Sequence, residues 1–260
     1  MFSLEKAISY ITENGSEIEK ARLDSIFGNK IDKTKPLSSI KEFQNADGGF
    51  SLSRNGLSNL SDTGFVLPWL SDLDLLSNEI TLNCFSFFYK MQNNDGSWKE
   101  IEYEKEMDVP EWKESTSIKS VLYQTANIIF WLYMYSNNTD CINNGINFLE
   151  RNYSRENAYL HTKWLLTAIL SKKYSWSHEI VKRLFEEIIE SISDDMPPSM
   201  ITWMLWAFSV YEIPKEKENL REVIKKIKQD KDGGINSEDG DSYRVNATIE
   251  RIKVFQYYKG

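Results

Sequence analysis

The sequence predicts an all-α protein made of six pairs of helices, and three observations lead to this class. A motif, Gln-x-x-Asp-Gly-x followed by a large apolar residue, occurs at residues 44–50, 92–98 and 229–235. Apolar residues on both sides of each copy recur every three to four positions, as in a helix. The chain has 260 residues, 41% hydrophobic and 27% charged, which is enough for a sizeable core.

Each copy of the motif is expected to form a tight turn between two helices. Gly allows a positive φ, Asp accepts hydrogen bonds from nearby backbone amides, and Gln bridges to a neighbouring repeat. A fourth copy is predicted at 153–159, where Asn157 replaces Gly because Asn tolerates a left-handed turn. Position alone suggests two more junctions, at 10–16 and 191–197, so the prediction is six units.

The helices before the turns are predicted to be amphipathic and to lie outside, at 4–12, 37–43, 79–91, 141–152, 178–192 and 215–228. The helices after the turns are more apolar and are predicted at 17–27, 60–73, 117–135, 159–170, 198–211 and 243–258. Amphipathic helices, which have one solvent-facing polar side, belong outside, and helices that are apolar on all sides belong inside.

Composition and charge exclude several classes of function. The 31 Lys and Arg against 39 Asp and Glu give a charge of -8, so no nucleic-acid partner is expected. The first residues lack the features of a signal peptide, and two cysteines make no disulfide framework, so a cytoplasmic location is expected. The longest apolar runs, at 125–135 and 200–211, are too short for a transmembrane segment.

The motif between an amphipathic and an apolar helix resembles the repeat of terpenoid cyclases and protein prenyltransferase β-subunits. The resemblance implies a single (α/α)6 toroid, or barrel, of six outer and six inner helices around an apolar pocket for an isoprenoid. It covers essentially the whole chain and implies one domain over 1–260, with an insertion at about 99–116. Larger relatives build the site between two barrels, which implies a homodimer or a partner protein at the barrel mouth.

The resemblance also implies a place for an acid. Class II cyclases protonate an alkene with an Asp of the motif Asp-x-Asp-Asp-Thr-Ala, and residues 59–64 here read Asn-Leu-Ser-Asp-Thr-Gly. Ser61 takes the protonating position, which leaves Asp62 as the candidate acid. The alternative is that Asp62 caps the inner helix. Asp195 is a second candidate if it faces the pocket, and otherwise precedes a helix that begins with proline.

Cations and metals would be needed for a diphosphate substrate. Arg244 and Arg251, seven residues apart on one helical face, are candidates, and Mg2+ is expected if the substrate is a diphosphate. The alternative for these arginines is salt bridges to Glu238, Asp239 and Asp241. Protein prenyltransferases use zinc on the inner ring, but Cys84 and Cys141 fall on predicted outer helices, so no zinc is predicted.

Aromatic residues make up 13% of the chain. Their π faces stabilise carbocations and hold polyprenyl chains, although packing between helix layers is the alternative. The aromatic residues predicted to bind substrate on the inner helices are Trp69, Tyr123, Trp131, Trp164, Trp203, Trp206 and Tyr243. His161, at the opening of the fourth inner helix, is either a substrate contact or a hydrogen-bonded rim residue.

The segment from 99 to 115 is longer than its counterparts and strongly charged. It is predicted to be a solvated loop, and the alternative is a lid or partner-binding loop around 109–112.

Three functions follow from these patterns. The leading one is a terpene-cyclase-like protein that binds a linear isoprenoid in an aromatic-lined pocket and cyclises it by class II protonation. The second, favoured by Ser61 and Asn59 in the acid motif, is a non-catalytic isoprenoid-binding or protein-interaction toroid. The third is a carbohydrate-active (α/α)6 enzyme with paired carboxylates, against which the inner helices supply few acids.

Overall fold

A computed structural model describes residues 2–53, 56–102, 110–213 and 218–259. These residues form twelve α-helices and no named β-strand, which confirms the predicted all-α class. The helices are α1 (Leu4–Asn14), α2 (Glu17–Ile26), α3 (Thr34–Lys41), α4 (Leu60–Asp72), α5 (Glu79–Met91), α6 (Ile118–Tyr135), α7 (Thr139–Asn152), α8 (Leu160–Tyr174), α9 (Glu179–Ser191), α10 (Pro198–Val210), α11 (Glu218–Lys226) and α12 (Arg244–Lys259).

Each predicted helix corresponds to one of the observed helices, with small differences at the ends. Helix α3 begins at residue 34 rather than 37, and α8 continues to residue 174 rather than 170. The predicted start of α11 at 215–217 lies outside the described residues. Several starts have clear local causes: Ser16 forms a capping box with Glu19 at the start of α2, and Pro198 occupies the first turn of α10.

Burial separates two kinds of helix, as the sequence predicts. In α9 one face buries Val181, Leu184 and Ile188, whereas Lys182 and Arg183 are exposed. Helix α10 instead buries most of its length, with Ile201, Met204, Leu205, Ala207 and Phe208 all at 1% exposure or less. The first kind has a hydrated face and the second is apolar nearly all round.

The chain divides into two compact units. The terminal unit comprises Met1–Lys33 and Leu170–Gly260, and its helix α12 packs against α1, α2 and α10. The middle unit is Thr34–Ile169, in which α6 packs against α7 and α4. That residues 1–260 form one domain stays a prediction.

The three copies of the motif form the same turn, and the predicted roles of Gly and Asp are confirmed. The first glycine has φ of 93° at Gly48, 93° at Gly96 and 96° at Gly233. The Asp before it accepts a hydrogen bond from the amide two residues later, as at Asp95 and Ser97 (2.9 Å). A Cβ atom on any of these glycines would lie within 2.4 Å of a carbonyl oxygen of another helix, so the turn requires Gly for both reasons.

The glutamine of each turn bridges to another helix, as predicted. The Nε2 of Gln44 donates to the carbonyl oxygens of its own turn and of Ile80 in α5, both at 2.9 Å. Gln92 reaches Cys141 in α7 at 2.9 Å, and Gln229 reaches Ser3, before α1, at 3.1 Å. The last bond ties the C-terminal turn to the N-terminal helix within the terminal unit.

The fourth predicted turn differs from the other three. Asn157 does not have a positive φ, so the prediction that it replaces Gly in a left-handed conformation is wrong. Its side chain instead accepts a hydrogen bond from the Ser154 amide (2.7 Å) and donates to the Asn152 carbonyl (2.8 Å). Asn holds this connection with its side-chain amide, which Gly lacks.

Candidate functional site

The start of α4 is held by a network around Asp62. Asn59 caps the helix by accepting from the Asp62 amide (2.8 Å), and its side chain donates to Asp62 Oδ2 (2.8 Å). The Leu52 amide also donates to Oδ2 (2.9 Å), and Lys113 Nζ lies 3.7 Å from Oδ1. The N-cap of α4 is therefore Asn59, so the interpretation that Asp62 caps this helix is wrong; Asp62 lies in the first turn and bonds to the cap.

Ser61, at the position that the resemblance assigns to the acid, contacts a buried carboxylate. Glu100 is 4% exposed and accepts from the Ser61 amide (2.8 Å), from Ser61 Oγ and from the Leu60 amide (2.9 Å). The Ile101 amide donates to it as well (3.0 Å). Glu100 was not predicted as a site residue, since nothing in the sequence distinguishes it from the other acids of the charged segment.

Helix α6 adds a buried amide to the same place. Gln124 is 1% exposed, and its Nε2 donates to Ser61 Oγ (2.9 Å). Among the described residues, none donates a hydrogen bond to its Oε1. A buried amide oxygen without a partner is costly.

The described parts of the charged segment pack onto the middle unit. Trp112 lies edge-on to Tyr123, with ring centroids 5.8 Å apart, and Ser120 Oγ donates to the Glu111 carbonyl (2.6 Å). The prediction of a solvated loop is wrong for Glu100, which is drawn inward by the free amides of α4, whereas Glu102, Glu111 and Glu114 are exposed. Residues 103–109, including Val109 of the predicted lid, lie outside the described residues.

Three predicted substrate residues of the middle unit contact one another, with their rings edge-on or tilted. The His161 ring lies 4.3 Å from Trp164 and 5.9 Å from Tyr123. Together with Trp112, which covers Tyr123, these residues are called the aromatic cluster. Lys113 follows Trp112 and pairs with Asp62, so the cluster is joined to the start of α4 through two consecutive residues.

The other two predicted aromatic residues of the middle unit pack in different surroundings. Trp69 is half-buried and lies edge-on to Phe65, with centroids 5.4 Å apart. Trp131 is 2% exposed and contacts Phe130 and Tyr135. Burial of this kind in α6 is what packing between helices requires.

The terminal unit holds the remaining candidates. Trp203 and Trp206 are half-buried on α10, and Lys253 Nζ lies 4.7 Å from the centre of the Trp206 ring. Tyr243 is half-buried in a short 3-10 helix before α12. Asp195 is exposed in the turn before α10.

The two candidate arginines have different environments. Arg244 pairs with Asp230 and Asp232, each at 2.9 Å, which makes it a partner of the third turn. The predicted alternative of pairing with Glu238, Asp239 and Asp241 is therefore wrong for Arg244. Arg251 is 4% exposed, lies 4.4 Å over the Phe2 ring, and burial lowers its pKa to about 10.

A buried charge network in the terminal unit was missed by sequence reasoning. Arg22, fully buried on α2, donates to Asn246 and pairs with Glu250 at 3.2 Å on α12. Lys253 lies 3.9 Å from the other oxygen of Glu250, and Asn246 donates to Glu19 (3.2 Å). No local signal marked Arg22, which stands between Lys20 and Asp24 in a charged stretch, and only its burial requires a carboxylate partner from another helix.

The residues that the structure describes contain no group of three His, Cys, Asp or Glu side chains that suits a metal ion. Cys84 and Cys141 lie buried on α5 and α7, where burial raises the thiol pKa to about 12 and about 11. Zinc binds thiolates, which these environments disfavour. No helix in the described ranges has the length and apolar character needed to cross a bilayer.

Solved structures with this fold include type II terpene cyclases. MstE from Scytonema without ligand has 10% sequence identity and a TM-score of 0.60, with 98% of this chain and 96% of that chain covered. An MstE variant in complex with geranylgeranyl dihydroxybenzoate, its substrate, has 9% identity and a TM-score of 0.62, with coverages of 98% and 95%. At such identities the likeness shows the fold, and it confirms the all-α toroid class.

Sequence comparisons give the family. A search of curated proteins finds no match. The family model of the prenyltransferase alpha-alpha toroid domain matches residues 18–160, which is more than half of the chain. The chain therefore belongs to the prenyltransferase alpha-alpha toroid domain family.

Proposed function

We propose that this protein is terpene-cyclase-like: it binds a linear isoprenoid and cyclises it by protonating a double bond. The observation that carries the proposal is the aromatic cluster, in which Trp112, Tyr123, His161 and Trp164 contact one another in edge-on and tilted pairs. Aromatic rings suit both a polyprenyl chain and a carbocation derived from it. The fold shared with MstE, whose substrate carries a geranylgeranyl group, supports the same ligand class.

Chain neighbours of two rings in the aromatic cluster contact polar groups at the start of α4. Lys113 connects Trp112 to Asp62, and Gln124 follows Tyr123 on α6 and reaches Ser61. An alkene must be protonated next to surfaces that stabilise the cation, so acid and aromatic rings have to be close. Asp62 itself accepts three contacts that fix α4, which favours a positioning role for this residue.

A second function keeps the ligand and loses the reaction. It is favoured by Ser61, because a serine and not an aspartate stands at the position that the resemblance assigns to the acid. The hydroxyl and the amide of Ser61 both donate hydrogen bonds to Glu100. In this case the protein would bind an isoprenoid, or another protein, without turnover.

The test uses the full chain with a panel of ligands. Geranylgeranyl diphosphate, geranylgeranyl dihydroxybenzoate and squalene are incubated with the protein and Mg2+, and organic products and released diphosphate are analysed. Binding is measured separately by calorimetry. Cyclic products establish the cyclase, and binding without products establishes the second function. Neither binding nor product for all three ligands overturns the isoprenoid proposal.

Matched variants test the aromatic cluster. Trp112→Ala removes the ring that covers Tyr123 and is expected to weaken isoprenoid binding by about 5- to 30-fold, since a well-packed aromatic contributes on the order of 1–2 kcal/mol. Tyr174→Ala is the control, because Tyr174 is an exposed aromatic that stacks on His178. Equal affinities for both variants would place the ligand elsewhere.

A further inference from the structure

The guanidinium group of Arg251 is buried in the terminal unit without an anionic partner. Arg251 lies on α12 and is 4% exposed, and its Nε and Nη1 atoms form no hydrogen bond with the described residues. No carboxylate in the described part of the chain forms an ion pair with it. Its chain neighbour Glu250 is paired with Arg22 and Lys253 instead. Burial lowers the pKa of Arg251 to about 10, so the group is positively charged at neutral pH.

A buried and unpaired charge of this kind is costly, because water no longer solvates it. The Phe2 ring provides a partial compensation, since its centre lies 4.4 Å from the guanidinium carbon of Arg251. A ring covers one face of the planar guanidinium, whereas the N–H donors lie in its plane and point past the ring. The cation–π contact therefore leaves those donors without acceptors.

Two other residues of α12 show that the missing partner is specific to one stretch of the helix. Arg244, seven residues earlier, donates to Asp230 and Asp232, each at 2.9 Å. Tyr258, seven residues later, has a buried hydroxyl group that also forms no hydrogen bond with the described residues. A spacing of seven keeps residues on one face of a helix. The face from Arg251 to Tyr258 therefore has two unmet polar groups, which indicates a ligand that supplies partners.

Charge balance and surroundings define the anion that suits Arg251. Because Arg244 is already neutralised by two aspartates, Arg251 supplies one positive charge, which a monoanion balances. A phosphate dianion or a diphosphate would leave excess negative charge in a buried place. A carboxylate carries a single charge and accepts two parallel N–H bonds from a guanidinium. Ala247 and Val254 share the face of Arg251 and are fully buried, so the body of the ligand should be apolar.

The cover over Arg251 is a single side chain that lies outside the helices. Phe2 precedes α1, which begins at Leu4, and is half-buried. Its ring also contacts Phe255, with centroids 5.2 Å apart. Because Phe2 is not part of a helix, its ring can be displaced without breaking the hydrogen bonds of α1 or α12. Displacement of this ring exposes the guanidinium to a ligand.

We propose that Arg251 binds the carboxylate of a small acid with an apolar body, at a site in the terminal unit. The guanidinium N–H groups donate to the carboxylate oxygens, and the apolar body packs against Phe2 and the apolar face of α12. The site goes beyond the proposed cyclisation and does not depend on it, because the aromatic cluster belongs to the middle unit.

The first measurement is the thermal stability of the dialysed protein without ligand. Arg251→Met replaces an unpaired buried charge with an apolar chain, and we expect Tm to rise by about 3–10 °C. Arg221→Met is the control, since Arg221 is exposed on α11, and its Tm should stay within about 2 °C of wild type. A lower Tm for Arg251→Met, or its failure to fold, shows that the protein itself satisfies the guanidinium and overturns the proposal.

The second measurement is the response to four probes at constant ionic strength: benzoate, decanoate, decanol and inorganic phosphate. At ten times its Kd, benzoate or decanoate is expected to raise the Tm of wild type and of Arg221→Met by about 3–6 °C. The Tm of Arg251→Met should not respond. Arg251→Lys keeps the charge without the planar fork and is expected to bind the carboxylate about tenfold more weakly by calorimetry.

Four outcomes would overturn the carboxylate site. The first is no response to either carboxylate, and the second is an equal response of wild type and Arg251→Met, which places the acid elsewhere. The third is a response to decanol as large as that to decanoate, which means that the apolar chain alone is recognised. The fourth is a response confined to phosphate, which assigns a different anion. None of these probes is an isoprenoid, so each outcome leaves the proposed cyclisation to its own test.

Discussion

Helix α4 of the middle unit and helix α12 of the terminal unit begin in the same way. The large apolar residue of the preceding turn donates its amide to a threonine 13 residues later, Phe50 to Thr63 and Ile235 to Thr248, both at 2.9 Å. Each threonine donates back to the carbonyl four residues before it, at 2.6 Å. The two helix starts share one scaffold.

The two starts differ two residues before the threonine. The middle unit has Ser61 there, bonded to Glu100, whereas the terminal unit has Asn246, bonded to Arg22 and Glu19. Ser61 therefore binds a carboxylate whose partners are amides and a hydroxyl, whereas Asn246 belongs to a network that contains an arginine and two glutamates. The difference teaches that the repeat determines the backbone geometry of the helix start, while single side chains from other segments determine which polar groups bond to it.

The largest expected effect concerns the charge network of the terminal unit. Arg22→Met removes the arginine that pairs with the buried Glu250 carboxylate. We expect a loss of about 3–5 kcal/mol in the free energy of unfolding. Glu100→Gln removes a group held by dipoles and is expected to cost about 1–3 kcal/mol. Urea unfolding of both variants measures the difference. Equal losses would show that the two positions are energetically alike.

The turns provide the next test, because the comparison requires them to be equivalent in the two units. Gly48→Ala and Gly233→Ala would each place a Cβ within 2.4 Å of a carbonyl oxygen at positive φ. We expect each to cost about 3 kcal/mol or more in thermal or urea unfolding. Gly28→Ala is the control, since Gly28 has φ of 72° with no atom near its Cβ position, and about 1 kcal/mol is expected. Unequal costs at Gly48 and Gly233 would contradict a common turn.

The hydrogen bonds of Thr63 and Thr248 should also contribute equally to the free energy of unfolding. Thr63→Val and Thr248→Val keep the shape of the side chain but leave the buried amides of Phe50 and Ile235 without an acceptor. We expect each variant to lose about 1–2 kcal/mol of unfolding free energy. A cost at Thr63 alone would mean that the α12 start is held mainly by its charge network.

The smallest effect is a pH dependence that belongs to the middle unit, which contains both cysteines. Burial raises the pKa of the Cys84 thiol to about 12 from 9.0. Above pH 9.0 the unfolded thiol loses its proton before the folded one, so stability falls as pH rises towards 12. Relative to Cys84→Ala, wild type should lose about 1 kcal/mol more between about pH 9 and 10. Parallel pH profiles of the two proteins would show that Cys84 titrates normally.

Local rules predicted the turns well. Gln, Asp and Gly act through contacts that depend on a few neighbouring residues, so the roles read from 44–50 hold in the structure. The same reasoning failed at Asn157, where a side chain with two hydrogen-bonding ends found partners other than a left-handed turn. It also missed the left-handed Asp74, Ser175 and Glu212 after α4, α8 and α10, because no glycine marks them.

By itself the sequence determined the all-α class, the helix pairs and the position of the motif that begins α4, because periodicity, caps and turn residues act over short distances. Only the tertiary structure decided which carboxylate reaches that helix. Glu100 and Glu102 look alike in a charged stretch, yet one is 4% exposed and the other is at the surface. The free amides of α4 bind Glu100 from 39 residues away, and contacts at such separations have no local signature.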